Sequence, residues 1–393
     1  MLTATLLIGA LVLVACSDDE ETETETGTAE TATPAATATP TATGSAAEPG
    51  SVSGSVTGAE PAVSTSTSDE IYTPVSDVDA HLALALDVRD IAALLKASPV
   101  DYTAIGQIYS EGKNSQRSDG TFRTLKGFAT DPGRAEQLAD AAALYGSPTF
   151  LDDEISAVLN GTGIAAGWTD GQREQAVNKG ILRILYYWVL DEMGSAKADL
   201  AAGEVDPADG APHAWDEAWA FYVGAADEGG ARPYALAATA LKREADYKKE
   251  GLINEPLRQA LADGLEAIEE GDAAALDEAE KRVMSRLNAI FYIATARYFN
   301  NAYAAAAKGD TSATAVALVE GLSFYRTIQP IVAVADPEAD EIISAFYQRG
   351  ADGPITVEER DAALAALNER AVTNEMGLQV TDMLTPASYA AAQ

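Results

Sequence analysis

Apolar residues recur at three- and four-residue spacing along most of residues 78–384, which places them on one face of a helix turn after turn. The first such stretch, 78–97, repeats Leu82, Leu86, Ile91, Leu94 and Leu95 and stops at Ser98-Pro99, because a residue before proline is pushed out of the helical region. Further helices are predicted over 102–111, 133–145, 152–159, 170–202, 214–225, 233–250, 255–270, 273–307, 312–327, 337–348, 357–370 and 375–384. Strand-like alternation is scarce. The connectors are short and hold Gly, Asp and Pro, so successive helices should pack antiparallel, and the expected fold is all-α, a large antiparallel helical bundle. A weak self-similarity between residues 88–105 and 261–277, each a helix, a tight polar break and another helix, adds the expectation of two duplicated halves.

Ahead of that region the pattern changes twice. Residues 2–14 are small and apolar, too short a run to cross about 30 Å of hydrocarbon, and they end in Leu13-Val14-Ala15-Cys16. This reads as a lipoprotein signal peptide, residues 1–15, cut before a lipid-bearing Cys16. No Lys or Arg precedes Arg89; the basic n-region of such a peptide is therefore missing, and a truncated start is expected. Cys16 is the sole cysteine, which excludes a disulfide within the mature chain. Residues 16–70 are Thr, Ala, Glu, Ser, Pro and Gly with no aromatic side chain, a composition that cannot offset chain entropy; a disordered acidic stalk is expected, followed by a helical domain over 71–388.

Charge narrows the partners. Of the net charge of −35, residues 1–70 carry −11, which leaves −24 on the remainder. Nucleic acid is a poor partner for such a field, and cations are better ones.

Chemistry-bearing side chains concentrate in residues 212–224, Pro-His-Ala-Trp-Asp-Glu-Ala-Trp-Ala-Phe-Tyr-Val-Gly. His213, one of only two histidines, stands four residues before Glu217 and so shares a helical face with it, with Asp216 beside them and Tyr222 further on. A plainer reading exists: with Pro212 ahead of the helix, both acids would fall in its first turn and simply favour its dipole. Three other stretches carry polar groups against apolar surroundings. In 108–126, Gly112 ends a helix and Lys113, Asn114 and Ser115 then present donors ahead of Arg123 and Lys126, a loop that could hold an anion. In 179–193, Lys179, Arg183, Tyr187 and Glu192 border an apolar run. In 286–301, Asn288, Tyr292 and Thr295 form a stripe that ends at Arg297 and Tyr298.

Those four stretches together resemble the low-iron-inducible periplasmic protein family, iron-assimilation proteins of algae related to the phytotransferrins. The resemblance spans about 71–384 and is most specific over Asp216 to Gly224. It implies an extracytoplasmic, membrane-anchored protein that captures Fe(III), with carbonate in the metal's shell, and that passes iron to a permease. Ferric iron is a hard cation that favours carboxylate and phenolate oxygens, so the candidate ligands are Asp216, Glu217, His213, Tyr222, Tyr187, Glu192 and Tyr298, with Arg297, Lys179 and Arg123 to neutralise the anion. These residues are expected to converge as three walls of one site.

Two alternatives remain. The spacing His213-x-x-Asp216 is similar to the His-x-x-Glu of imelysin-like helical lipoproteins, and a helical adhesin or scaffold on a stalk would need no metal at all; that last reading predicts exposed aromatic side chains. An enzyme is not expected, because the chain has no His-Glu-x-x-His, no Gly-x-Ser-x-Gly and no cysteine nucleophile in its mature part.

Overall fold

Gly-Asp pairs make two successive corners of this molecule. The computed structural model describes residues 71–131, 138–226 and 232–391. Within them, Gly271 closes α9 (Asn254–Glu270) in the left-handed region, and Asp272 then caps α10 (Ala273–Ala307) by accepting from the backbone of Ala274 and Ala275. The next corner repeats the device, with Gly309 left-handed and Asp310 capping α11 (Thr311–Ala335). Asp336 turns the chain into α12 (Pro337–Gln348), whose first residue is a proline that needs no donor there.

The remaining helices among the described residues are α1 (Asp79–Leu95), α2 (Tyr102–Glu111), α3 (Leu125–Thr130), α4 (Ala139–Tyr145), α5 (Phe150–Asn160), α6 (Asp170–Ala202), α7 (Ala211–Val223), α8 (Leu236–Asp246), α13 (Val357–Leu367), α14 (Arg370–Glu375) and α15 (Pro386–Ala391). No strand accompanies them, and they all belong to one compact unit rather than two separate halves. None is long and apolar enough to cross a membrane. The signal peptide with Cys16, the stalk and part of the helix expected over 133–145 lie outside the described residues.

α10 is the axis. It packs on α9, α11 and α6, and its middle, from Leu287 to Ala296, is buried on every side. α7 packs across α6, α9 and α1. At its contact with α9 the Trp215 indole lies directly on Gly264 and donates to the Leu261 carbonyl at 2.7 Å; a Cβ on Gly264 would stand 2.1 Å from the ring. Gly264→Ala is therefore expected to force Trp215 out of place at a cost of about 1–3 kcal/mol, and a urea midpoint equal to that of the parent chain would refute this account of the crossing.

Two departures from the sequence pattern have clear causes. α11 does not stop near 327 but runs on through Pro330, because the Arg326 carbonyl that the proline leaves without a partner accepts from the Tyr145 hydroxyl at 2.9 Å. The helix expected over 375–384 does not form. Side chains of α10 take that segment's backbone instead: Ser285 donates to Gly377, Asn288 to Met376, and Tyr292 accepts from Leu384. Arg286 clamps the fully buried Asp382 with two bonds of 2.8 and 2.6 Å.

Candidate functional site

α7 gives two neighbouring carboxylates different tasks. The helix starts at Ala211, after Gly210 and with Pro212 in its first turn, so Asp216 and Glu217 both lie in the second turn; no acid occupies the first, and the dipole explanation for them does not hold. Asp216 is fully buried and accepts from the Tyr72 hydroxyl at 2.5 Å and from the backbone of Val75 and Ser76 at 2.8 Å each. Both its oxygens are spent on the segment that leads into α1. Tyr72 in turn stacks on Trp219 at 5.2 Å. With Asp216 so engaged, the His213-x-x-Asp216 spacing does not make a donor pair.

Glu217 points the other way and gathers both histidines of the chain. Nε2 of His213, one turn earlier, lies 2.9 Å from Glu217 Oε1, and Nε2 of His81, on α1, lies 3.2 Å from the same oxygen. This makes each Nε2 the protonated nitrogen. Nδ1 is then the bare nitrogen, and on both rings it is buried without a hydrogen-bond partner. His81 sits edge-on to Phe221 and shares the buried face of α1 with Leu84, Val88 and Ile91.

The three groups divide their protons unequally. Burial pushes the His81 pKa from 6.5 down to about 4, against the pull of Glu217. His213 shifts upward because its bond to Glu217 outweighs its partial desolvation. Burial raises Glu217, but the bond from His213 and the nearby His81, His213 and Arg123 more than reverse that, and its pKa ends below the usual value. The sign follows for stability. His213, raised, stabilises the fold below pH 6.5 and loses that effect as pH rises through its folded pKa; His81, lowered, contributes fully above pH 6.5 and loses its contribution as pH falls toward about 4. In the metal-free protein, NMR should show His213 titrating above 6.5 and His81 only near 4. One shared midpoint for the two rings would contradict this division.

Beside the histidines opens a pocket of about 530 Å³, lined by His81, His213, Asn114, Gln116, Arg117 and Arg123 among others. Its far wall is the loop after α2. Gly112 turns with φ of 70°, where a Cβ would meet the Arg123 carbonyl at 2.7 Å, so only glycine lets the two legs of the loop approach. Arg123 N donates to Ser115 O, Arg117 N donates to Thr121 O, and Gln116 pairs with Phe122 as an isolated bridge. The hairpin is bolted to α1: Ser115 Oγ donates to Ala80 O at 2.5 Å, and the Asp87 carboxylate accepts from the backbone of Lys113 and Asn114 and from the Asn114 amide. Arg123 is thereby fixed near His81 and His213.

A family model described as low iron-inducible periplasmic protein matches residues 51–322, well over half of the chain. The chain belongs to this family. No curated protein and no solved structure matches it.

The other residues singled out in this member of the low iron-inducible periplasmic family do not join that site. Tyr222 is fully buried and donates to Asn254 Oδ1 at 2.7 Å. Tyr187 lies against Arg183 and Phe150 and reaches Thr327 O at 3.5 Å, beside a mostly apolar cleft of about 430 Å³ between α6, α10 and α11. Glu192 is buried on the same helix, with a partner of its own. Lys179 and Tyr298 do converge, but on Glu320 of α11, a residue the sequence pattern did not single out: Lys179 pairs with Glu320 at 2.8 Å and Tyr298 lies beside it, whereas Arg297 pairs with Asp246 at 3.4 Å. Burial raises the pKa of Tyr187, Tyr222 and Tyr298 alike, which opposes the phenolate that a ferric ion would need. The three expected walls are thus separate environments, and among the described residues no group of three or more His, Cys, Asp or Glu is arranged to hold a metal ion. His81, His213 and Glu217 are closed on one another by hydrogen bonds. His81 was missed by the sequence reading, although a histidine on the apolar face of α1, one of two in the chain, was a visible signal. Among the described residues the exposed large apolar side chains are all aliphatic, contrary to what an adhesin rich in exposed aromatics requires.

Proposed function

We propose that the protein captures ferric iron outside the cytoplasm, as a binding protein rather than an enzyme, with His81, His213 and Glu217 as its ligands and an oxyanion such as carbonate held in the pocket beside Arg117 and Arg123. The observation that supports this reading most is the spacing around Glu217 Oε1, 2.9 and 3.2 Å to two imidazole nitrogens. Donors about 2.0–2.2 Å from one metal ion and at right angles lie about 3 Å apart, so once both rings turn their Nε2 axes off Oε1, an ion that replaces the two protons would have two imidazoles and a carboxylate within reach. The displaced protons have somewhere to go, since Nδ1 of each ring has no bond to lose. Two imidazoles and one carboxylate with open positions are a set that binds iron, most often ferrous, and the oxyanion would supply the hard oxygens that ferric iron favours. The same set also suits zinc, and membership of an iron-responsive family is what selects iron. Cys16 would carry the lipid that keeps the domain at a membrane, where a permease takes the metal over.

Equilibrium dialysis of the full chain against ferric iron, with bicarbonate and a competing chelator, tests the reading. It should retain one ion per chain without the intense colour of tyrosinate-bound iron, since the phenols stand elsewhere. An iron-free protein after dialysis, or zinc held in strong preference to iron, would overturn it.

A further inference from the structure

The cleft between α6, α10 and α11, to which α4 and α14 add residues, shares no lining residue with the pocket beside the histidines. Its volume of about 430 Å³ lies within the roughly 300–1,000 Å³ typical of small-molecule sites, and the space between the helices of a bundle is a usual place for one.

The floor suits an apolar body. Tyr186, Tyr187 and Pro330 are buried there, and the half-buried Leu190, Met284 and Ile331 line the flanks. Polar groups at depth are spent on the protein itself: the Tyr186 hydroxyl donates to Asn288 Oδ1 at 2.7 Å, the Asn288 amide donates to Met376 O at 3.1 Å, and Tyr187 reaches Thr327 O. Only the hydroxyl of Thr327 lacks a partner there. No charged group waits at the bottom, so the buried part of a ligand must be uncharged.

The mouth is different. Asp140 and Glu375 stand exposed at it, and the half-buried Asp191, which has a partner of its own, also lines the cleft. No Lys, Arg or His is among the described residues that do so. A carboxylate head would meet like charge with no cation to offset it, whereas an ammonium head would find two exposed carboxylates.

Gly194 points to the same conclusion from the backbone. It lies inside α6, where glycine is unfavourable and needs a reason. Gly180 on the same helix has one, because Ile155 stands 3.0 Å from where its Cβ would be; a Cβ on Gly194 would meet nothing within 4 Å, and Gly194 lines the cleft. What its missing side chain preserves is open space.

We propose that this cleft binds a small amphiphilic amine, with its apolar body between α6, α10 and α11 and its ammonium group at Asp140 and Glu375. The proposal stands apart from iron capture, since neither site uses a residue of the other.

Isothermal titration calorimetry of the full chain at pH 7 with n-octylamine, n-octanol and n-octanoate tests it, because the three probes share one apolar body and differ in the charge of the head. Octylamine should bind at one site and octanoate about tenfold or more weakly than octylamine, with octanol between them. Gly194→Leu, which fills the cleft from α6, should abolish octylamine binding without lowering the urea midpoint, since leucine suits a helix better than glycine. Asp140→Asn, at an exposed position, should weaken octylamine about two- to fivefold, the scale of one exposed ion pair, and leave octanol unchanged. Absence of saturable octylamine binding, equal affinity for octanoate, or octylamine binding that survives Gly194→Leu would each overturn the proposal.

Discussion

Glu217→Gln should lower the affinity for ferric iron by on the order of 100-fold or more, since loss of even an outer-shell partner of a metal ligand costs 10–100-fold. The substitution keeps the shape of the side chain and removes its charge. Glu217 Oε1 is the one atom that both imidazoles approach, at 2.9 and 3.2 Å, and it is the only anion among the three proposed donors. Without it a ferric ion would face two neutral rings with the positive charge of Arg123 nearby. The fold should persist, because the amide oxygen can still accept from His213 and the side chain is not fully buried, with 14% of its surface exposed. Competition dialysis against a chelator of known strength reads the affinity, and circular dichroism checks the fold. A variant that binds iron as the parent does would end the case for this site, whatever the family does elsewhere.

The helices were legible because local rules governed them. The stretches 102–111, 170–202, 273–307 and 337–348 have the bounds that the periodicity and the Gly, Asp and Pro corners indicated. Periodicity failed where a distant side chain overrode it. Nothing near Pro330 announces that Tyr145 will take the carbonyl it frees, and nothing in 375–384 announces that Ser285, Asn288 and Tyr292 will claim its backbone. The site shows the same divide. The pair His213 and Glu217, four apart, and the loop carrying Arg123 were readable from spacing and turn chemistry. His81 is brought to them by the packing of α1 on α7, across more than a hundred residues of sequence, and no spacing rule reaches that far. The phenols misled because tyrosine offers both an iron ligand and a core side chain, and only burial decides between them.

That ambiguity is sharpest at the two adjacent acids, and Asp216→Ala is the substitution that separates them. Asp216 accepts three hydrogen bonds, from the Tyr72 hydroxyl and from the Val75 and Ser76 amides, and is itself fully buried. Bonds to a charged acceptor contribute about 1.5–3 kcal/mol each, and a buried donor left without a partner adds its own desolvation cost. Water can reach the exposed end of the segment, so the three losses do not simply add, and a destabilisation of about 3–5 kcal/mol is expected. Tyr72 would lose its partner while stacked on Trp219, and residues 72–78 would come away from α7. A lowered urea midpoint and early proteolytic cleavage just before α1 would report this. Iron bound per folded molecule should stay close to that of the parent, because both oxygens of Asp216 are engaged by Tyr72, Val75 and Ser76. A variant with unchanged stability and lost iron would reverse the assignment, making Asp216 the ligand and Glu217 the structural acid.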